Sequence, residues 1–263
     1  MLGIMASSVL KVLKPSTVEY LVVAGGALGG NAAGYDAGGG GGGQFRTATG
    51  FAVSSGTPLT VTVGASANSS VFSSITSVTG VAGGSQVYTP YTSKGGASGN
   101  SFAGGLDFYS LQGGSYRYAG GGGGGASAVG ANATATGSPY LVNTFGGAGG
   151  AGSSSSITGT ATVYGGGGGG SGNSGGGAGG SGGGGAGSGN PAGGNGVAGT
   201  ANTGGGGGGS YVNSTSAAGG SGIVVIRYAN TYGDAASTTG SPTFTNTGGY
   251  KIYTWTGSGS ITF

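Results

Sequence analysis

The stretch GGGGGGSGNSGGGAGGSGGGGAGSGN at residues 165–190 decides how this chain folds. Glycine has no side chain to bury and loses more backbone freedom on ordering than any other residue. An ordered run of six therefore needs compensation from its own N–H and C=O groups. A threefold extended helix of the polyproline II type makes no internal hydrogen bonds and points both groups outward. Glycine lets such helices approach until each run bonds to as many as six neighbours. At about 3.1 Å per residue, a six-residue run spans about 19 Å, enough to cross a small bundle. Since buried backbone groups must be paired, the expected structure is a lattice of polyglycine helices held together by main-chain hydrogen bonds.

The rest of the chain agrees with this reading. Further glycine runs stand at 38–43, 120–125, 182–185 and 204–209, at irregular spacing, so no solenoid period is present. Collagen needs glycine at every third residue and abundant proline; unbroken glycine runs and only 6 prolines exclude it. The chain has 263 residues, of which 76 are glycine, and only 4% are charged, against about 25% in ordinary soluble domains. Its low content of large aliphatic side chains would suggest disorder, but disordered chains carry high charge and this one does not.

Between the runs, residues 17–24 (TVEYLVVA), 58–63 (PLTVTV) and 223–228 (IVVIRY) read as β-strands, the first buried on both faces from Leu21 to Ala24. Residues 242–263, PTFTNTGGYKIYTWTGSGSITF, carry turn signals at Gly248-Gly249 and at 257–259 and predict a three-stranded meander. Its middle strand would place Tyr250, Ile252 and Thr254 on one face and Lys251, Tyr253 and Trp255 on the other. The fold class expected is all-β and irregular: a polyglycine bundle flanked by short strands, with almost no α-helix. Three segments follow: 1–17 as an anchoring segment, 18–229 as the glycine-rich domain and 230–263 as the C-terminal hairpin or meander. In the first, Leu2, Met5, Val9 and Val12 have heptad-like spacing. The segment lacks the basic start and cleavage site of a signal peptide, and the chain has no apolar run long enough to span a membrane.

Composition excludes most enzyme chemistry. The chain has no Cys and no His, hence no thiolate nucleophile, no zinc–thiolate site and no imidazole base. Glycosidase chemistry needs paired carboxylates; between the strands at 17–24 and 223–228 Asp36 and Asp107 are the only acids, and nothing in the sequence pairs them. Asp36 reads as a turn or capping residue. The GxGxxG matches follow from glycine content, and none continues into a P-loop. No catalytic, cofactor or metal residue is expected. The net charge of +3 is scattered and forms no patch for nucleic acid. Arg46, Arg117 and Arg227 are isolated and suit bonding to carbonyls at a bundle edge.

The segments VEYLVVAGG, TVTVGA, NTGGGGGGS and GGSGIVVIRYAN, with the repeated GGGGGG blocks, resemble the glycine-rich domain proteins of tailed bacteriophages over residues 18–229. In that family a segment like YKIYTWTGSGSITF commonly precedes the VEYLVVAGG strand. Here it stands last, at 250–263, either as a reordered module or as a strand donated to a neighbour. The resemblance extends to distal phage adhesins in which a polyglycine sandwich presents aromatic loops to bacterial receptors. It implies a non-enzymatic virion protein on the particle surface: a tail-fibre or adhesin subunit, with a capsid-decorating or head-fibre protein as the alternative. Its partners would be other virion proteins, through residues 1–17, and a host receptor of protein or glycan; a homotrimer is favoured. An extracellular structural or ice-binding protein is a further alternative. The implied receptor contacts fall in 86–118, on Tyr88, Tyr91, Phe102, Phe108, Tyr109, Tyr116 and Tyr118, and in 139–145, on Tyr140. The same rings are also the large side chains available to pack the bundle flanks.

Overall fold

A computed structural model describes residues 13–31, 36–85, 94–112, 115–138, 141–189, 194–211 and 214–263. The described strands are β1 (Thr17–Val23), β2 (Phe45–Ala52), β3 (Leu59–Thr62), β4 (Ser70–Phe72), β5 (Ile75–Ser77), β6 (Phe108–Gln112), β7 (Ser115–Ala119), β8 (Thr134–Ser138), β9 (Leu141–Phe145), β10 (Ser153–Ser155), β11 (Thr162–Tyr164), β12 (Ile223–Ala229), β13 (Ser237–Thr239), β14 (Thr243–Thr247), β15 (Tyr250–Trp255) and β16 (Gly259–Thr262). No α-helix occurs among the described residues.

The glycine runs form the expected lattice. In the run 37–43, Gly38 and Gly41 donate to Gly84 and Val81, Gly39 and Gly42 to Gly121 and Gly124, and Gly40 and Gly43 to Gly207 and Gly204, at 2.8–3.0 Å. Donors aim at the same neighbour at every third residue, which is the signature of a threefold helix. The carbonyls of the same run accept from Gly30 and Ala27, from Gly96 and Gly99, and from Gly168 and Ser171. Six neighbours therefore surround this run. The runs 120–125, 165–170 and 204–209 are enclosed in the same way, and their glycines are buried.

Following these bonds places the described runs in four layers. The first holds 78–84, 94–99 and 102–106; the second holds 24–30, 37–43, 119–126 and 128–133. The third holds 217–222, 204–210, 165–171 and 146–152; the fourth holds 194–199, 183–188 and 175–180. Successive runs alternate in direction, so the connections divide between two ends. Outer runs carry larger residues where they meet solvent: Leu28, Val81, Leu106, Val129 and Val197 are all exposed.

The proximal end is a β-sandwich. One sheet has the order β14-β15-β12-β1-β2 and the other β13-β16-β3-β4-β5. Val22, Phe72, Ile226, Tyr253, Trp255, Ile261 and Phe263 lie between them. On the outer face of the first sheet, Leu21, Val23, Val225 and Ile252 pack with Ile157 and Tyr164 of the β10–β11 hairpin. The central strands β1 and β12 are thus covered on both faces, which is why their apolar residues are continuous rather than alternating. The indole N–H of the fully buried Trp255 donates to the Thr239 carbonyl at 3.0 Å.

The C-terminal segment departs from the expected meander in one strand. β14 and β15 pair across Gly248-Gly249, with Tyr253 and Trp255 on one face and Ile252 on the other as read from the sequence. After 257–259, however, β16 crosses to the second sheet and pairs with β3 and β13. The physical reason lies in Ile261 and Phe263: both are fully buried between the sheets, and the crossing delivers them there. β15 pairs with β12 of its own chain, so the YKIYTWTGSGSITF segment is built into the same sandwich as the VEYLVVAGG strand. The expected anchor residues Leu2, Met5, Val9 and Val12 lie outside the described residues.

A methyl group added at Gly168 would collide with the Gly207 carbonyl, which has no flexible side chain to yield. Gly168→Ala should therefore destabilise the protein by about 3 kcal/mol or more. Gly257→Ala, where a Cβ meets nothing, should change stability by no more than about 0.5 kcal/mol. Denaturant titration of both variants checks the contrast.

Candidate recognition surface at the distal end

The alternating runs gather one set of connections at the end away from the sandwich. The β6–β7 hairpin and the β8–β9 hairpin rise there. Bridges Ala119–Gly172 and Phe145–Gly175 tie their bases to the lattice, and Ala37–Ser85 and Gly172–Gly189 join neighbouring run ends at the same end. Side chains reinforce the joint. The buried Thr144 hydroxyl donates to the Tyr118 carbonyl at 2.7 Å and accepts from the Asn173 amide at 3.2 Å. Tyr211 donates its phenol proton to Asn173 Oδ1 at 3.0 Å, and Ser174 donates to Asn143 Oδ1 at 3.1 Å.

The expected receptor residues separate into distinct groups. Tyr118 is buried and its ring lies 5.5 Å from that of Tyr109, which is 40% exposed. Phe108 is half-buried at the base of the same hairpin, and Tyr116 stands opposite Leu111 on it. Phe102 does not join them. It follows the turn at Gly99-Asn100, where Asn100 bonds both backbone groups of Phe45, and so sits at the sandwich end. A single run separates it from Phe108, and each run carries the chain from one end to the other. Tyr88, Tyr91 and Tyr140 lie outside the described residues. Phe145, 36% exposed on β9 and absent from the expected set, is a distal aromatic as well.

Beneath the hairpins lies a buried acid. Asp36 precedes the inner run 37–43 and is 2% exposed. It accepts a hydrogen bond from the Ser171 hydroxyl at 3.2 Å, and that hydroxyl accepts from the Ala37 amide at 2.7 Å. Burial pushes the Asp36 carboxyl up to about 7, against the smaller opposing effect of the Ser171 hydrogen bond. The Tyr211 phenol is raised too, first by burial and then by the Asp36 charge, with Arg117 acting in the opposite sense. The sequence reading of Asp36 as a local turn residue missed its partner 135 positions away. The available signal was its place directly before a run long enough to be interior.

The described residues contain no group of His, Cys, Asp or Glu able to hold a metal ion, and no helix long and apolar enough to cross a membrane. The model of the glycine-rich domain family matches residues 7–229, which take in every run of the lattice together with β1 and β12. The chain belongs to the glycine-rich domain family. Strands β13–β16 lie beyond the matched span, although they complete both sheets of the sandwich. No curated protein and no solved structure matches the chain.

In this glycine-rich domain protein Asp36 sets a pH dependence of stability. A carboxyl held protonated in the folded state up to about 7, against an ordinary value of 3.8, contributes stability that is complete below the lower value. As pH rises from there, the unfolded chain ionises first and the contribution shrinks until it is gone above the folded value. Stability should fall between about pH 4 and pH 7, by an amount on the order of 4 kcal/mol. Asp36→Asn should flatten that slope. Unfolding free energies measured across this range for both proteins provide the check.

Proposed function

We propose that this protein is a non-enzymatic structural component of a tailed-phage virion, a tail-fibre or adhesin subunit that binds the host surface through its distal end. The observation that carries the reading is the segregation of the chain: hairpins with exposed Tyr109 and Phe145 stand at one end of a lattice whose inner glycines leave no room for a Cβ. Aromatic rings supply rigid contact area at low entropic cost, and a main-chain lattice holds them without a side-chain core beneath them. The edge strands β2 and β14 are exposed along most of their length and favour assembly with further copies. In this reading residues 1–17 face other virion proteins and the assembled form is a homotrimer.

Immunogold labelling of intact particles tests the location. Gold at the tail or its fibres is the expected result; gold over the head would replace the adhesin reading with capsid decoration, and particles without gold would remove the virion reading. Purified protein should bind host cells saturably. Tyr109→Ala should weaken that binding by about tenfold, as expected for loss of one well-placed aromatic contact, while the protein stays folded at the assay temperature.

A further inference from the structure

At the pole opposite the hairpins, where β1 begins and β12 ends, a groove of about 310 Å³ opens at the end of the first sheet. That volume lies at the small end of ligand-sized pockets, which run from about 300 to 1,000 Å³. Glu19 and Arg227 are direct partners across β1 and β12. Arg227 donates from Nε at 2.8 Å and from Nη2 at 2.7 Å to one and the same carboxylate oxygen, Glu19 Oε2. Its Nη1 donates to the Ser156 carbonyl at 3.1 Å, and its guanidinium lies 4.3 Å over the Tyr250 ring. Three of its five N–H donors are thus occupied, and its charge is balanced by Glu19. Glu19 is held rigidly while its second oxygen, Oε1, has no hydrogen bond from any described residue.

The surroundings limit what could meet that oxygen. The pairing of β1 with β2 shifts between Val18 and Tyr20, so that Thr49 and Gly50 of β2 form a bulge opposite Glu19; bulges recur beside binding sites because they re-aim side chains and end pairing. Thr17 and Thr49 contribute hydroxyl-bearing walls, and the half-buried Tyr232 and Tyr250 contribute rings. An anionic ligand would meet Glu19, with the arginine charge already neutralised. A wholly apolar ligand would cover the ion pair without supplying hydrogen bonds, which is unfavourable. A ligand with hydroxyl donors along one edge and a C–H face for an aromatic ring satisfies every group.

The geometry points to a binding site for a neutral sugar unit in this groove, with Glu19 accepting hydroxyl protons and Tyr232 packing against the ring. The site is separate from the distal hairpins and stands or falls independently of their role.

The test titrates the protein with a panel of neutral mono- to trisaccharides, and separately with an acidic counterpart of each, followed by NMR and calorimetry. Binding by at least one neutral sugar is expected. Thr49→Trp fills the groove from an exposed position on an edge strand and should weaken binding more than tenfold. Glu19→Gln keeps the shape but removes the charged acceptor and should weaken it by about tenfold, the usual effect of losing a hydrogen bond to a charged group. Should either variant fail to fold, the other carries the test. Tyr109→Ala at the distal end should bind the sugar as the unaltered protein does. The proposal is overturned if no panel member binds, if an acidic sugar binds more tightly than its neutral counterpart, or if binding survives in folded Thr49→Trp.

Discussion

Everything in this molecule depends on the pairing of main-chain amides between runs that have no side chains to hold them apart. A conventional domain buries hydrocarbon and lets hydrogen bonds follow. Here hydrogen bonds define the interior, and at its inner glycines even a single added methyl group would meet a carbonyl. Each of the inner runs, 37–43, 120–125, 165–170 and 204–209, donates to some neighbours and accepts from others until its amides are used. Such bonds are individually worth only about 1 kcal/mol net, but an interior amide without a partner is penalised more heavily than a bond rewards. The lattice is therefore stable through completeness. Removing one partner exposes a need on several sides at once.

The sandwich supplies what the lattice lacks. Glycine runs bury little apolar area, and their ends would fray without an anchor. β1 flows directly into the run 24–30, and the run 217–222 flows directly into β12, so two adjacent strands hold the first and last elements of the bundle. Both strands are sealed on each face by separate apolar clusters. The aromatic residues concentrate here: Tyr20, Phe51 and Phe72 interlock, as do Tyr228, Tyr253 and Trp255. The Tyr228 phenol, bonded to Tyr253 and to the Gly233 carbonyl, resists ionisation chiefly because it is buried.

Much of this was legible in the sequence. Six successive glycines admit few ordered conformations, and the continuous apolar stretch from Leu21 marked a strand buried on both sides. The β14–β15 turn followed from Gly248-Gly249, and the facing of Ile252 against Tyr253 from simple alternation. What failed was anything that depended on which end of the lattice a residue reaches. Phe102 and Phe108 are six positions apart in sequence, yet the run between them carries the chain to opposite ends. Parity of runs, not proximity in sequence, decides such placements, and the outer runs 78–84, 94–99, 102–106 and 128–133 lack the unbroken glycines that would have revealed them. The crossing of β16 and the pairing of Asp36 with Ser171 were hidden for another reason: each joins elements far apart along the chain.

The threefold repeat of the donors also constrains how sequences of this kind can change. Inserting one residue into an inner run would turn every later amide by a third of a revolution and redirect it to the wrong neighbour. Only an insertion of a whole turn preserves direction, and it would then overshoot unless the surrounding runs lengthened together. The thickness of the bundle is thus a shared property that no single run can alter. The distal connections are free of that restraint and can diverge in length and composition one at a time. Such a chain resembles a fixed plug with interchangeable contacts, in which variation is confined to the tip by geometry before any selection acts.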